Sequence, residues 1–295
     1  MPDLLTTNEA AEYLRLSERK LYELVGGGAV PCTKITGRWL FPKAALDRWL
    51  ASGLVTPDGM TLVPRPPIVG GSQDPLLDWA LRDSGCGLAS LPEGSEAGLR
   101  RLSRGELMAA AIHLHRADGD DEAANTEAVA QASGLHDAVV IAFCRREQGL
   151  VVAPGNPLGL TDLSAVVATR ARMAQRPAGA GAELLLWALM ARAGIATDAL
   201  ALVKPVCPTG PDLGQAVRSG RADCGIASRS VAHAAGLGFV SILWERFDLV
   251  LRQRDYFLPG PQALFDHMRK PVFAARAAEM QGYDVVTAGA VRLVN

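Results

Sequence analysis

Two stretches of the chain offer backbone donors suited to holding an anion. Ile68-Val69-Gly70-Gly71-Ser72-Gln73-Asp74-Pro75 reads as a strand, a glycine turn and a helix start, with Ser72 or Gln73 able to cap the helix. Arg176-Pro177-Ala178-Gly179-Ala180-Gly181-Ala182-Glu183 leads in the same way into the apolar helix Leu184–Leu189. Free N–H groups at a helix start point at a ligand, and the helix dipole favours negative charge there. The alternative reading of each stretch is an ordinary turn between strand and helix.

Other residue types offer less. His113-x-His115 would share a face of a strand and could ligate a metal. Nothing in the local sequence completes a ligand set, so no metal and no cofactor are expected, and His113 reads better as a hydrogen-bonding group in a pocket. The five cysteines are far apart and none has CxxC spacing. Cys86, Cys144 and Cys224 sit in apolar strand contexts and read as core, while Cys32 or Cys207 could serve as a redox sensor. No GxSxG, HExxH or Walker sequence occurs, so no catalytic residue is nominated and the chain is not expected to be an enzyme. Asp118, Asp120 and Asp121 read as a solvated acidic loop.

The elements that must position these groups follow from patterning. The chain has 295 residues, 49% of them hydrophobic, and a net charge of -1, enough for two domains and too apolar for global disorder. No basic apolar leader opens it, and no apolar run reaches the length of a membrane span, so a cytoplasmic protein without a membrane partner is expected. From Ile68 onward, strand-like runs alternate with helical ones, which argues for βαβ units, a parallel sheet and two lobes. Val166–Thr169 is among the predicted strands. The stretch from Gly53 to Pro67 is rich in Gly and Pro and reads as a linker. The expected domains are therefore 1–52, a linker 53–67 and 68–295.

Before the linker, Thr6-Thr7-Asn8-Glu9 fits a capping box and Ser17 suits the N-cap of a second short helix over Glu18–Val25. Two short helices joined by a few residues are the helix-turn-helix signal. Thr36-Gly37 suits a hairpin turn, and Pro42 suits the first position of a third helix.

The residues Leu5-Thr6-Thr7-x-Glu9-Ala10-Ala11-x-Tyr13-Leu14, Ser17-x-x-x-Leu21-Tyr22, Pro31, Gly37-Arg38-Trp39, Phe41 and Leu46-x-x-Trp49-Leu50 resemble the excisionase-type branch of the MerR-like winged helix-turn-helix family. The resemblance implies that helix Glu18–Val25 enters the major groove, with Ser17, Arg19, Lys20 and Tyr22 towards DNA. Lys34, Arg38 and Lys43 would then neutralise phosphates. One small module binds weakly, so a homodimer or homotetramer on a double-stranded operator is expected.

The remainder resembles the periplasmic-binding-protein-like domain of the molybdate-binding sort. Its residues are Val69–Leu77, Ala111–Leu114, Arg146-x-Gln148-Gly149-Leu150, Pro154–Gly159, Arg176-x-x-Gly179-x-Gly181, Ala216–Ile226 and Glu245–Leu249. The resemblance implies an α/β fold with a two-lobed (type II) ligand-binding domain behind a small winged helix-turn-helix. It places a small anionic ligand between the lobes, near Ser72, Gln73, His113, Arg145, Arg146, Asn156, Arg176, Gly179, Ala180 and Gly181. Where the family often has Gly-Ser-Gly-Thr-Arg, this chain has Gly179-Ala180-Gly181-Ala182-Glu183, which loses two hydroxyls and a cation. A larger molecule with an acidic group suits that change better than molybdate or tungstate. The expected function is a ligand-responsive DNA-binding transcription regulator. The alternatives are a DNA-architectural protein whose second domain only oligomerises, and a molybdenum-cofactor-related enzyme.

Overall fold

The computed structural model describes residues 4–35, 37–53, 65–115 and 122–295. Thr36 of the expected hairpin turn, the linker core 54–64 and the acidic run Asp118, Asp120 and Asp121 lie outside them. The chain divides into two compact units, Met1–Pro64 and Arg65–Asn295.

In the first unit, β1 (Leu4–Thr6), α1 (Thr7–Tyr13), α2 (Glu18–Gly26), β2 (Leu40–Pro42) and α3 (Lys43–Ser52) follow in order. Thr6 caps α1 and Glu9 reaches back to the Thr6 N–H at 2.8 Å, so the capping box forms. Ser17 caps α2 through the Lys20 N–H. Leu5, Ala10, Leu21, Phe41 and Leu46 close a small core. The antiparallel β1–β2 pair was not expected from sequence. Pro42 ends β2 rather than opening α3, and the expected wing is tied by a single bridge between Thr33 and Leu40.

The second unit opens with β3 (Ile68–Gly71), α4 (Pro75–Asp83), β4 (Ala89–Pro92), α5 (Ser95–Ser103), β5 (Ala109–Ile112) and α6 (Ala124–Gln131). There follow β6 (Ala138–Val152), α7 (Leu163–Ala168), β7 (Arg172–Ala174), α8 (Gly181–Ala193), β8 (Ala201–Val203) and α9 (Gly210–Arg218). Next come β9 (Cys224–Ser228), α10 (Arg229–Ala235), β10 (Gly238–Arg252), α11 (Gln253–Tyr256), α12 (Pro259–Met268) and α13 (Pro271–Met280). The chain closes with β11 (Tyr283–Asp284) and β12 (Val291–Val294). No described helix is long and apolar enough to cross a membrane.

The sheet order is β4-β3-β5-β10-β6-β9-β7-β8. The outer pairs are parallel, as expected, but β6 and β10 are antiparallel strands of 15 residues that run through both halves of the unit. A purely parallel sheet is therefore corrected to a mixed one. Side-chain alternation lets the two long strands serve four cores. Val139, Ile141 and Phe143 face α4, α12 and α13, while Ala138 and Val140 face α5 and α6. Further along, Leu150 and Val152 face α7 and α8, while Val151 faces α9 and α10. Between these apolar ends β6 carries Arg145-Arg146-Glu147-Gln148, and Glu245 of β10 lies opposite Arg146.

Val166–Thr169, predicted as a strand, belongs to helix α7 and the turn after it. Asp162 caps α7 by accepting from the Ala165 N–H at 2.8 Å, and Leu163 and Val166, three apart, both face the core.

Candidate functional site

A cavity of about 260 Å³ lies in the second unit, over the polar middle of β6 and β10. Several helices begin at its wall, including α5 at Gly94 and α8 at Ala180, and neither of these two carries a side-chain cap. The first glycine turn behaves differently from its sequence reading. Asp74, not Ser72 or Gln73, caps α4, accepting from the N–H groups of Leu76 and Leu77 at 2.9 and 3.1 Å. That carboxylate occupies the α4 donors itself. On this side the start of α5 at Gly94 lines the cavity without a side-chain cap.

Gly71 shows why the turn needs glycine. Its φ is +93°, and a Cβ there would strike the Ala111 backbone. The close approach lets Ser72 donate its N–H to Ala111 at 2.8 Å. The Ser72 hydroxyl then meets that of Ser95 at 2.7 Å. Gly181 plays the matching part at α8, where a Cβ would land on the His113 ring.

Two arginines reach the cavity in different electrostatic states. Arg146 is buried and bonded to Asp74 at 2.9 Å and to Glu245. Burial opposes its charge, but the two carboxylates outweigh that and raise its pKa. Arg176 donates to the Pro208 carbonyl at 3.0 Å and forms no ion pair with any described carboxylate within 4 Å. Burial first, then the like charge of Arg146, pull its guanidinium down to about 10. Glu183 does not reach towards it. Its carboxylate accepts from the Gly179 N–H at 3.2 Å and from the Trp187 ring at 2.6 Å, folded back on its own turn.

Of the ligand residues nominated from sequence, Ser72, Gln73, His113, Arg146, Arg176, Ala180 and Gly181 line this one cavity. Gly179 lies beside it, touching Glu96. Arg145 and Asn156 do not line it. Arg145 is one strand position from Arg146, so alternation turns it to the other face. Asn156 has φ +48° and closes its own turn by hydrogen bonds with the backbone of Leu160. Gln148 and Ser228 also line the cavity and were missed. The signal was present for Gln148, since a polar tetrad interrupts an otherwise apolar strand.

In the first unit, Arg19, Lys20, Tyr22, Lys34 and Arg38 are exposed. Arg19 and Lys20 both approach Glu23, at 3.6 and 3.1 Å, and Lys34 lies over the Trp39 ring. Lys43 is drawn inward, bonded to Asp47 at 2.9 Å and lying over Tyr13. Ser17 is committed as the α2 cap.

Residues 4–53 match a family described as a helix-turn-helix domain, and residues 78–269 match one described as a PBP superfamily domain. The chain is 21% identical over 308 residues to the uncharacterized protein YvgK of Bacillus subtilis (strain 168), covering 98% of this chain and 97% of that protein. Solved structures share the fold. The tungstate ABC transporter of Geobacter sulfurreducens aligns with TM-score 0.52 at 13% identity, over 72% of this chain and 97% of its own. A cysteine mutant of Corynebacterium glutamicum OxyR aligns with TM-score 0.51 at 16% identity, over 93% of this chain and 89% of its own. A putative phosphate ABC transporter substrate-binding protein from Clostridium perfringens, with bound phosphate, aligns with TM-score 0.50 at 10% identity, over 72% of this chain and 96% of its own.

Proposed function

Because the chain belongs to the PBP superfamily and carries a helix-turn-helix domain ahead of that domain, we propose that it is a transcription regulator whose hold on operator DNA responds to a small anionic molecule in the cavity. One observation carries the anionic part. Arg176 reaches the cavity wall without a carboxylate partner, where the uncapped starts of α5 and α8 also lie. A guanidinium whose charge is disfavoured by burial gains most from a ligand that supplies the missing anion. The fold shared with a tungstate transporter and a phosphate-bound protein fits this reading.

The helix-turn-helix supplies the DNA contact, through Ser17, Arg19, Lys20, Tyr22, Lys34, Arg38 and Lys43. On this reading the chain acts in the cytoplasm as a homodimer or homotetramer on paired half-sites, with 1–52 as DNA-binding domain, 53–67 as linker and 68–295 as sensor. It is not an enzyme. The cavity hydroxyls of Ser72 and Ser228 bond to Ser95 and Ser230 rather than to a histidine base.

The test is a thermal-shift screen of the purified full chain with molybdate, tungstate, phosphate, sulfonates and aromatic carboxylates. A bound anion at about 100 times its Kd stabilises by roughly 2.7 kcal/mol. Stabilisation by one class, lost in Arg176→Gln, supports the sensor and identifies its ligand class. No response to any anion favours the architectural alternative.

A further inference from the structure

Below the cavity, Glu245 joins two histidines that the sequence separates from it by more than a hundred residues. One carboxylate oxygen, Oε2, lies 3.0 Å from His113 Nδ1 and 2.8 Å from His115 Nε2. The three donor atoms lie within 4.8 Å of one another, and the side chains are 5%, 0% and 1% exposed. The rings stand at 84° to each other, their centroids 5.9 Å apart. Donor atoms around a four-coordinate zinc ion, at bonds near 2.1 Å, stand about 3.4 Å apart. The two separations from Oε2, 3.0 and 2.8 Å, are within about 0.6 Å of that spacing.

We propose that His113, His115 and Glu245 form a binding site for a first-row divalent transition metal of the zinc type. Two imidazoles and one carboxylate are the donor set such ions prefer, whereas calcium and magnesium prefer oxygen alone. The surroundings hold the donors in place. The second carboxylate oxygen, Oε1, accepts from Gln148 at 2.8 Å and from Arg146, which fixes the plane of the carboxylate.

Arg146 of the same buried cluster bonds both Asp74 and Glu245. Among the described residues three donors converge, the number that zinc sites binding a further group use. His113 also lines the cavity, so the metal would sit at its edge. The inference stands on the donor geometry and does not depend on the regulatory reading.

The experiment is a cobalt titration of the full chain, untagged and freed of metal by chelator. The expected result is one equivalent of Co²⁺ bound per chain, with visible d–d bands of low-symmetry nitrogen and oxygen ligation, displaced by Zn²⁺. His115→Gln, checked by circular dichroism and a cooperative melt, loses the bands. If that variant does not fold, Gln148→Leu takes its place and weakens binding by about 10-fold through the lost hold on Oε1. Absence of stoichiometric Co²⁺ binding by the wild-type chain overturns the proposal. So does binding that persists undiminished in both variants, or bands of thiolate-to-metal charge transfer, which would place the ion on cysteine.

Discussion

Replacing Arg176 with Gln should move stability and ligand affinity in opposite directions. A guanidinium drawn well below its usual value, to about 10, carries its charge at a cost of roughly 3 kcal/mol relative to water. Solvent at its exposed edge trims that figure, and the lost bond to the Pro208 carbonyl takes back about 1 kcal/mol. The ligand-free variant should therefore be more stable by about 1–2 kcal/mol, a rise of a few degrees in Tm. Anion binding should weaken by roughly 10- to 150-fold, the value of a charge-assisted bond of about 1.5–3 kcal/mol. The assay is a melt with and without the stabilising anion, backed by calorimetric titration. A purely structural arginine would behave otherwise. A variant that melts lower by more than about 1 kcal/mol, with its anion response intact, would refute the reasoning.

Gly181→Ala should weaken anion binding at least about 10-fold and destabilise by about 1–3 kcal/mol, because its Cβ falls on the His113 ring; urea denaturation and titration check this. Glu245→Gln should cost about 1.5–3 kcal/mol, the value of a charge-assisted bond, since Arg146 loses Glu245 but keeps Asp74, as read from the urea midpoint. The Arg229 bond holds the Glu147 carboxyl below its usual 4.5, outweighing burial. A depressed carboxyl adds stability that is full above pH 4.5 and fades as pH falls, so Arg229→Gln should flatten the acid arm of a urea-midpoint profile. In the first unit, Arg19→Ala and Arg38→Ala should each lower the salt dependence of binding to a random-sequence duplex by about one phosphate contact, measured by fluorescence anisotropy.

Local signals in the sequence carried most of the elements. The capping box of Thr6 and Glu9, the Ser17 cap and the strand Ile68–Gly71 rest on neighbours within a few residues, and all three form. Where a β-branched run met a cap, the cap decided. Val166-Val167 resembles a strand, but Asp162 and the core-facing Leu163 and Val166 make it helix. The two long strands were read only in part, because Arg145–Gln148 breaks the apolar pattern at the place where the strands cross from one half of the unit to the other. The same break marks the floor of the cavity. Asp74 was legible as part of a helix start, but its commitment to the α4 donors and to Arg146 was not. The link of Glu245 to the two histidines was not legible for the plainest physical reason. Its partners are 97 to 132 residues away, and only the register of β10 against β6 and β5 brings them together.

The central claim is that an anion in the cavity changes the hold on DNA. It is tested most directly by anisotropy titration of a duplex selected by the full chain, with and without the anion giving the largest thermal shift. The account predicts at least about a 5-fold change in Kd for the wild-type chain, the lower end of allosteric coupling, and none for Arg176→Gln at the same anion concentration. Equal DNA affinity in the presence and absence of saturating anion would contradict it.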